Sequence, residues 1–171
     1  WQTSIALQAT TVDLAANASL SPADYLIAHL SGTGVFAPTD AELKVLHDYV
    51  AGGGTLIAEA VGGASSSFAD SLQSTVLPKA FPDARFEALP LTDPMLHASF
   101  AGMEDVWKPR LRGYALQRLG KTIPPLRTAS VGKGRVIYLP LDVTTGLLGS
   151  GAWPIFGYEP GEAQALMKNI L

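Results

Sequence analysis

His29, Glu59 and Asp142 are the side chains whose types and placement could do chemistry together. Each stands at the close of an apolar run. His29 is penultimate in Tyr25-Leu-Ile-Ala-His-Leu30, Glu59 is penultimate in Thr55-Leu-Ile-Ala-Glu-Ala60, and Asp142 follows Arg135-Val-Ile-Tyr-Leu-Pro-Leu141. Turn-forming residues come next in every case: Ser31 to Gly34, Gly62 to Ser67, and Thr144 to Gly146. A histidine with two carboxylates is the usual minimum for acid–base catalysis or for a divalent metal. The same residues suit a plainer role, in which His29 and Glu59 bond to each other or to backbone in a buried edge.

Ser31, Gly62, Gly63 and Ser65 complete the candidate ligand-binding set. Gly62-Gly-Ala-Ser-Ser-Ser67 leads into a helix N-terminus, where free N–H groups and hydroxyls could hold an anion. Capping of that helix is the competing role for one of Ser65 to Ser67. The segment lacks the Walker and GxGxxG patterns, and a serine nucleophile would want a GxSxG elbow, which is absent. No catalytic residue, cofactor or metal is therefore assigned. His97, in Thr92-Asp-Pro-Met-Leu-His97, reads as a loop ligand or a surface residue, and His47 as a structural residue on a helix.

The elements that must position these residues follow from periodicity. Thr3 to Gln8 reads as a short strand, and Tyr25 to Leu30 as a strand covered on both faces, since its apolar run lacks alternation. Thr39-Asp-Ala-Glu42 is a capping box opening a helix through Leu43, Leu46, His47 and Val50, which Gly52-Gly-Gly54 ends. The Thr55 to Ala60 strand follows at once. Phe68, Leu72, Val76 and Leu77 then mark a helix that stops at Pro78. Strand, glycine turn and helix recur with short connections, which argues for βαβ units in a mostly parallel, doubly wound α/β sheet.

The middle third differs. Phe86 to Leu91, Asp105 to Leu119 and Pro125 to Val131 read as β-like segments interrupted by prolines, an irregular β-rich insertion or set of edge strands. Gly132-Lys-Gly134 is a hairpin turn into Arg135 to Leu141. Glu159 to Leu171, with Pro160 at its start and Lys168 near its end, reads as a closing helix.

Composition bounds the function. The 171 residues are 47% hydrophobic and 16% charged, against about a quarter charged in ordinary soluble domains, so disorder is excluded and a thickly covered core expected. One α/β domain over residues 1–171 suffices. With no cysteine there is no thiolate nucleophile, disulfide or cysteine metal cluster. Residues 1–104 carry 11 acidic and 3 basic side chains, and residues 105–171 carry 4 and 9, so opposed charges of −8 and +5 lie behind the formal −3. The basic run from Lys108 to Arg135 suits a phosphate, an acidic partner or a solvated face paired with the acidic half. With no recognised module and an acidic pI, nucleic acid is not expected as a partner. Val143 to Tyr158 is free of charge but broken by glycines and Pro154, and it falls short of the ~20 apolar residues of a membrane span. Its Trp153-Pro-Ile-Phe156 could form an exposed patch for self-assembly. The chain opens at Trp1 with no signal-peptide pattern and reads as a piece of a longer protein.

Several of these stretches carry a family resemblance: Tyr25 to Gly32, Thr39 to Glu59, Gly62-Gly63 with Phe68, Thr92-Asp-Pro94, Val136 to Asp142 with Gly146, and Gly157-Tyr158 before Asn169-Ile170. In order and content they resemble the bacterial family called domain of unknown function 4159. The resemblance implies a flavodoxin-like, class I glutamine-amidotransferase-like fold. True amidotransferases of that fold keep a cysteine in the elbow after the strand matching Thr55 to Ala60, paired with a late His and Glu. Here the elbow is Glu59-Ala-Val-Gly-Gly63 and the late strand closes with Pro140-Leu-Asp142, so glutaminase chemistry is excluded for want of the thiolate. Relatives commonly begin with a further strand and helix and often belong to membrane-anchored or exported proteins, which implies an extracytoplasmic setting. The expected function is a ligand-binding or protein-interaction module for an unknown small molecule or protein. The alternative is a hydrolase or metal-dependent enzyme at the carboxyl edge of the sheet.

Overall fold

A computed structural model of the chain describes residues 8–16, 20–63, 66–120 and 123–171. The strand expected at Thr3 to Gln8 lies outside them but for Gln8, and so does Ser65. Five strands form one sheet in the order β1-β2-β5-β4-β3: β1 (Ile27–Gly32), β2 (Thr55–Ala60), β3 (Glu87–Ala88), β4 (Arg127–Val131) and β5 (Gly134–Leu139). β1, β2 and β5 run parallel, with Ser31 opposite Glu59 and Glu59 opposite Leu139. β4 and β3 continue the sheet antiparallel.

The pleat sorts β2 and β5 between two cores. Leu56, Ala58, Val136 and Tyr138 face α1 (Asp40–Ala51) and the stack of α2 (Ser67–Ser71), a π-wound turn at Leu72–Val76 and α3 (Leu77–Ala80). Ile57, Ile137 and Leu139 face α6 (Pro160–Ile170) and the chain around Met95, Val106 and Leu111. Burying a side chain such as Leu56 or Ile57 contributes about 2 kcal/mol, which explains an apolar run without alternation. The low charge content thus reflects a mixed α/β sheet covered on both faces in its middle.

β1 departs from that expectation. It begins two residues later than its apolar run, places His29 third of six, and leaves His29 and Ser31 exposed. As the terminal strand among the described residues it lies beyond the cover of α6, so Ile27 is only partly buried. The capping box forms as read: Thr39 Oγ1 accepts from the Glu42 N–H at 3.3 Å, and the Glu42 carboxylate accepts from the Thr39 N–H at 2.6 Å.

Three local expectations are corrected. The Phe68 helix does not stop at Pro78 but runs to Ala80, because the preceding turn widens so that the Leu77 N–H donates to the Leu72 carbonyl. That winding removes the collision a proline ring makes with an α-helical carbonyl four residues back. Asp105 to Leu119 is not β-like: Leu111 makes a single bridge to Tyr158, and Gly113–Leu119 is helix α4, with Ala115 buried. Phe86 to Leu91 contributes only the two residues of β3.

Thr39→Ala removes one cap and is expected to lower stability by about 1 kcal/mol. Urea denaturation measures it, and an unchanged midpoint would show that the box contributes nothing.

Candidate functional site

At the carboxyl edge, Glu59 is fully buried yet ionisable, and its oxygens are all in use. Oε1 accepts from the N–H groups of Val143 at 2.7 Å and Thr144 at 2.6 Å. Oε2 accepts from the Thr144 hydroxyl at 3.0 Å and lies 2.8 Å from His29 Nε2. A carboxylate only accepts, so Nε2 carries the proton. Burial by itself raises the Glu59 pKa, but the hydrogen bonds from His29, Thr144 and Val143, with the His29 charge, outweigh it and hold the group below the ordinary glutamate range.

Asp142, also fully buried, is satisfied separately. Oδ1 accepts from the Thr145 N–H at 2.9 Å; Oδ2 accepts from the Gly62 N–H at 2.6 Å and the Thr145 hydroxyl at 2.9 Å. Burial raises its pKa, opposed by the bonds from Gly62 and Thr145, with the nearby Glu59 charge raising it further. The Asp142 backbone joins the next segment, donating to the Phe156 carbonyl and accepting from the Tyr158 N–H, both at 3.0 Å, while the Phe156 N–H reaches the Gly62 carbonyl at 3.2 Å. The two carboxylates and these backbone bonds pin three chain crossings, at 59–63, 142–145 and 156–158. Gly63 sits at φ +90° where a Cβ would overlap the Phe156 carbonyl, so the crossing admits glycine alone.

The structure therefore brings His29 to Glu59, and Asp142 to Gly62, with the Glu59 charge acting on Asp142. Ser31 stands beside Glu59 in register and is exposed. The Gly62 N–H is occupied by Asp142 and the Gly63 N–H by the Ala60 carbonyl at 2.8 Å, so neither glycine N–H is left for an anion, while Ser65 lies outside the described residues. Ser66 is the N-cap, accepting from the Ala69 N–H at 3.1 Å. Among the described residues no three His, Asp or Glu side chains are placed to hold a metal. Thr144 to Gly146 is no flexible turn but the start of helix α5 (Thr144–Leu147), whose first N–H groups Glu59 meets. Sequence reasoning missed Thr144 and Thr145 as carboxylate partners; paired hydroxyl residues two and three positions after an acid at a strand end are the signal that could have found them.

The remaining candidates are structural. His97 Nε2 meets the Leu91 carbonyl at 2.7 Å, and His47 stacks near Phe81. The basic run is dispersed: Arg110 pairs with Glu162 at 2.7 Å, Arg112 donates to the Tyr158 and Ser150 carbonyls, and Arg118 lies over Tyr114. These three find their partners within residues 105–171, whereas Arg127 donates to the Phe86 carbonyl in the acidic half. In the expected assembly patch, Phe156 packs against the core, leaving Trp153 exposed with its ring edge-to-face on Tyr114.

Fold and site together define a mixed α/β domain with a five-stranded, mostly parallel open sheet and an internally satisfied pair of carboxylates at its edge. Residues 1–140 match the family described as Domain of unknown function (DUF4159), and the chain belongs to it. No curated protein matches the chain.

Glu59→Ala strands two backbone N–H groups and a hydroxyl and is expected to cost about 3 kcal/mol, whereas Glu59→Gln, which keeps one acceptor oxygen, costs about 1 kcal/mol. Chemical denaturation distinguishes them; equal small losses would show that the clamp does not hold the fold. Because the Glu59 pKa lies below the ordinary 4.5, its contribution is full above that value and is lost as pH falls through the folded-state pKa. Asp142, raised above 3.8, has the opposite sign, contributing when protonated and losing that as pH rises. Acid titration of stability is expected to show a limb below about pH 4.5 that Glu59→Gln flattens.

Proposed function

We propose that this is a glutamine-amidotransferase-like, flavodoxin-like domain that has no catalytic role and serves as a protein-interaction module, docking a partner segment along the open flank of β1. The observation that carries the reading is the saturation of Glu59 and Asp142. A general base or metal ligand needs an open lone pair facing substrate, and these carboxylates spend theirs on Val143, Thr144, Thr145, Gly62 and His29.

The flank of β1 supports docking. Between Asp24 and Asp40 there is no Asp, Glu, Lys or Arg, and the one histidine is His29. Leu26 is 76% exposed and Val35 79%, at either end of the strand, and β1 has one strand neighbour among the described residues. Exposed edges in monomeric proteins are ordinarily guarded by charge or proline, whereas this one has no second strand partner among the described residues and presents His29 and Ser31. A partner's extended segment can add to such an edge through main-chain hydrogen bonds, with His29 and Ser31 supplying selectivity.

The enzyme reading keeps one observation in its favour, an exposed imidazole oriented by a buried carboxylate, which is how a general base is held. His29 would then be the base and Glu59 its orienter, with Asp142 outside the reaction. Photo-crosslinking residues placed at Leu26 and Val35 of the full-length protein in its native cell separate the two. The same discrete adduct from both sites, absent from the exposed control position Leu91 and removed by Ser31→Lys, is the expected result. No adduct from the β1 flank, or hydrolysis of an ester or amide panel that vanishes in His29→Ala, overturns the docking reading.

A further inference from the structure

On the opposite face of the sheet from Glu59, a cavity of about 360 Å³ opens where the helical layer over β2 and β5 ends and the antiparallel strands continue. Tyr138 and Arg127 are directly opposed across the β5–β4 pair and both line it. Tyr138 is 3% exposed, yet its hydroxyl has no hydrogen-bond partner among the described residues. A buried hydroxyl is nearly always satisfied, and the polar side chain close enough to act on this one is Gln73, itself in the cavity wall. Arg127 donates through Nη2 to the Phe86 carbonyl at 2.7 Å, which occupies one of the five guanidinium donors. It is the one charged residue lining the cavity, and the Asp70 carboxylate lies close enough for its charge to act on Tyr138. Gln73, carried on the π-wound turn, adds a side-chain amide, and π turns concentrate at functional sites. Phe81, Pro82 and Phe86 supply apolar walls.

We propose that this cavity is a binding site for a small planar carboxylate, its anionic group held between the Arg127 guanidinium and the Tyr138 hydroxyl and its apolar body against Phe81, Pro82 and Phe86. The volume falls at the low end of the roughly 300–1,000 Å³ of small-molecule sites and fits one ring with its substituents. Guanidinium and phenol are both donors here, which selects an acceptor with negative charge over a neutral amide or alcohol. Gln73 reads a further polar substituent on the ring. The site does not depend on the β1 flank, since it lies on the other sheet face.

Titration of benzoate into isotopically labelled protein, followed by amide chemical shifts, is the test, with benzamide as the uncharged isostere. Benzoate is expected to perturb residues 73–86, 127 and 138 in one saturable process, at least tenfold more tightly than benzamide. Tyr138→Phe keeps the buried ring and is expected to leave the fold intact, since its hydroxyl has no hydrogen-bond partner among the described residues, and to weaken benzoate about tenfold; Arg127→Gln is expected to weaken it further and to abolish the preference over benzamide. Scattered or non-saturating shifts, equal affinity for the two probes, or unchanged affinity in folded Tyr138→Phe would each overturn the proposal.

Discussion

The fold depends most on keeping an ionised Glu59 inside the protein. A carboxylate taken out of water is unstable by several kcal/mol unless each lone pair finds a donor. The donors come from places far apart in the chain: His29 on the neighbouring strand, and the backbone and hydroxyl at Val143 and Thr144, over eighty residues later. Satisfying one charge therefore fixes the register of β1 on β2 and the position at which the chain leaves β5 to begin α5. Asp142 extends the same logic to Gly62 and, through its backbone, to the 156–158 crossing. Two neighbouring carboxylates cannot both be comfortable in such a setting, and the opposed directions of their pKa shifts express that strain.

This arrangement sits where related architectures do their chemistry. Ligands of doubly wound sheets gather beyond the carboxyl ends of the strands, and His29, Glu59, Gly62 and Asp142 occupy that edge. In this chain the edge has been turned inward, its acceptors spent on backbone, its glycine turn bolted to Asp142. Among the described residues, β1 keeps one strand neighbour, and across the sheet lies the cavity at Tyr138 and Arg127. The two differ in kind: one is a strand edge with apolar ends, the other a concave pocket with a single cation and an unanswered hydroxyl.

Much of this was legible in the residues. β2 matched its apolar run residue for residue, and the Thr39 capping box, the Gly132-Lys133 hairpin and the closing helix fell where local chemistry put them, because each is decided within a few residues. The pairing of His29 with Glu59 was among the alternatives, since two polar groups on adjacent strand ends have few other partners. Misreadings arose where a local signal met a nonlocal one. Pro78 usually halts a helix, but packing of Leu77 and Ala80 made a widened turn the better solution. Asp105 to Leu119 read as a β-like segment interrupted by proline, yet Gly113–Leu119 found a helical face for Ala115 against the core.

From the sequence alone came the composition of the layers, the absence of a thiol nucleophile and the identity of the three chemistry-bearing residues, since these depend on residue type and short spacing. Only the tertiary structure decided whether those residues were available. Availability is a question of which donors lie within three ångströms of an oxygen, and the donors at Val143, Thr144, Thr145 and Gly62 are backbone groups that every sequence has. Nothing in a residue's type reveals where its N–H will point. For the same reason the position of the Tyr138 hydroxyl, with no hydrogen-bond partner among the described residues, could not be read before the fold set Arg127 beside it.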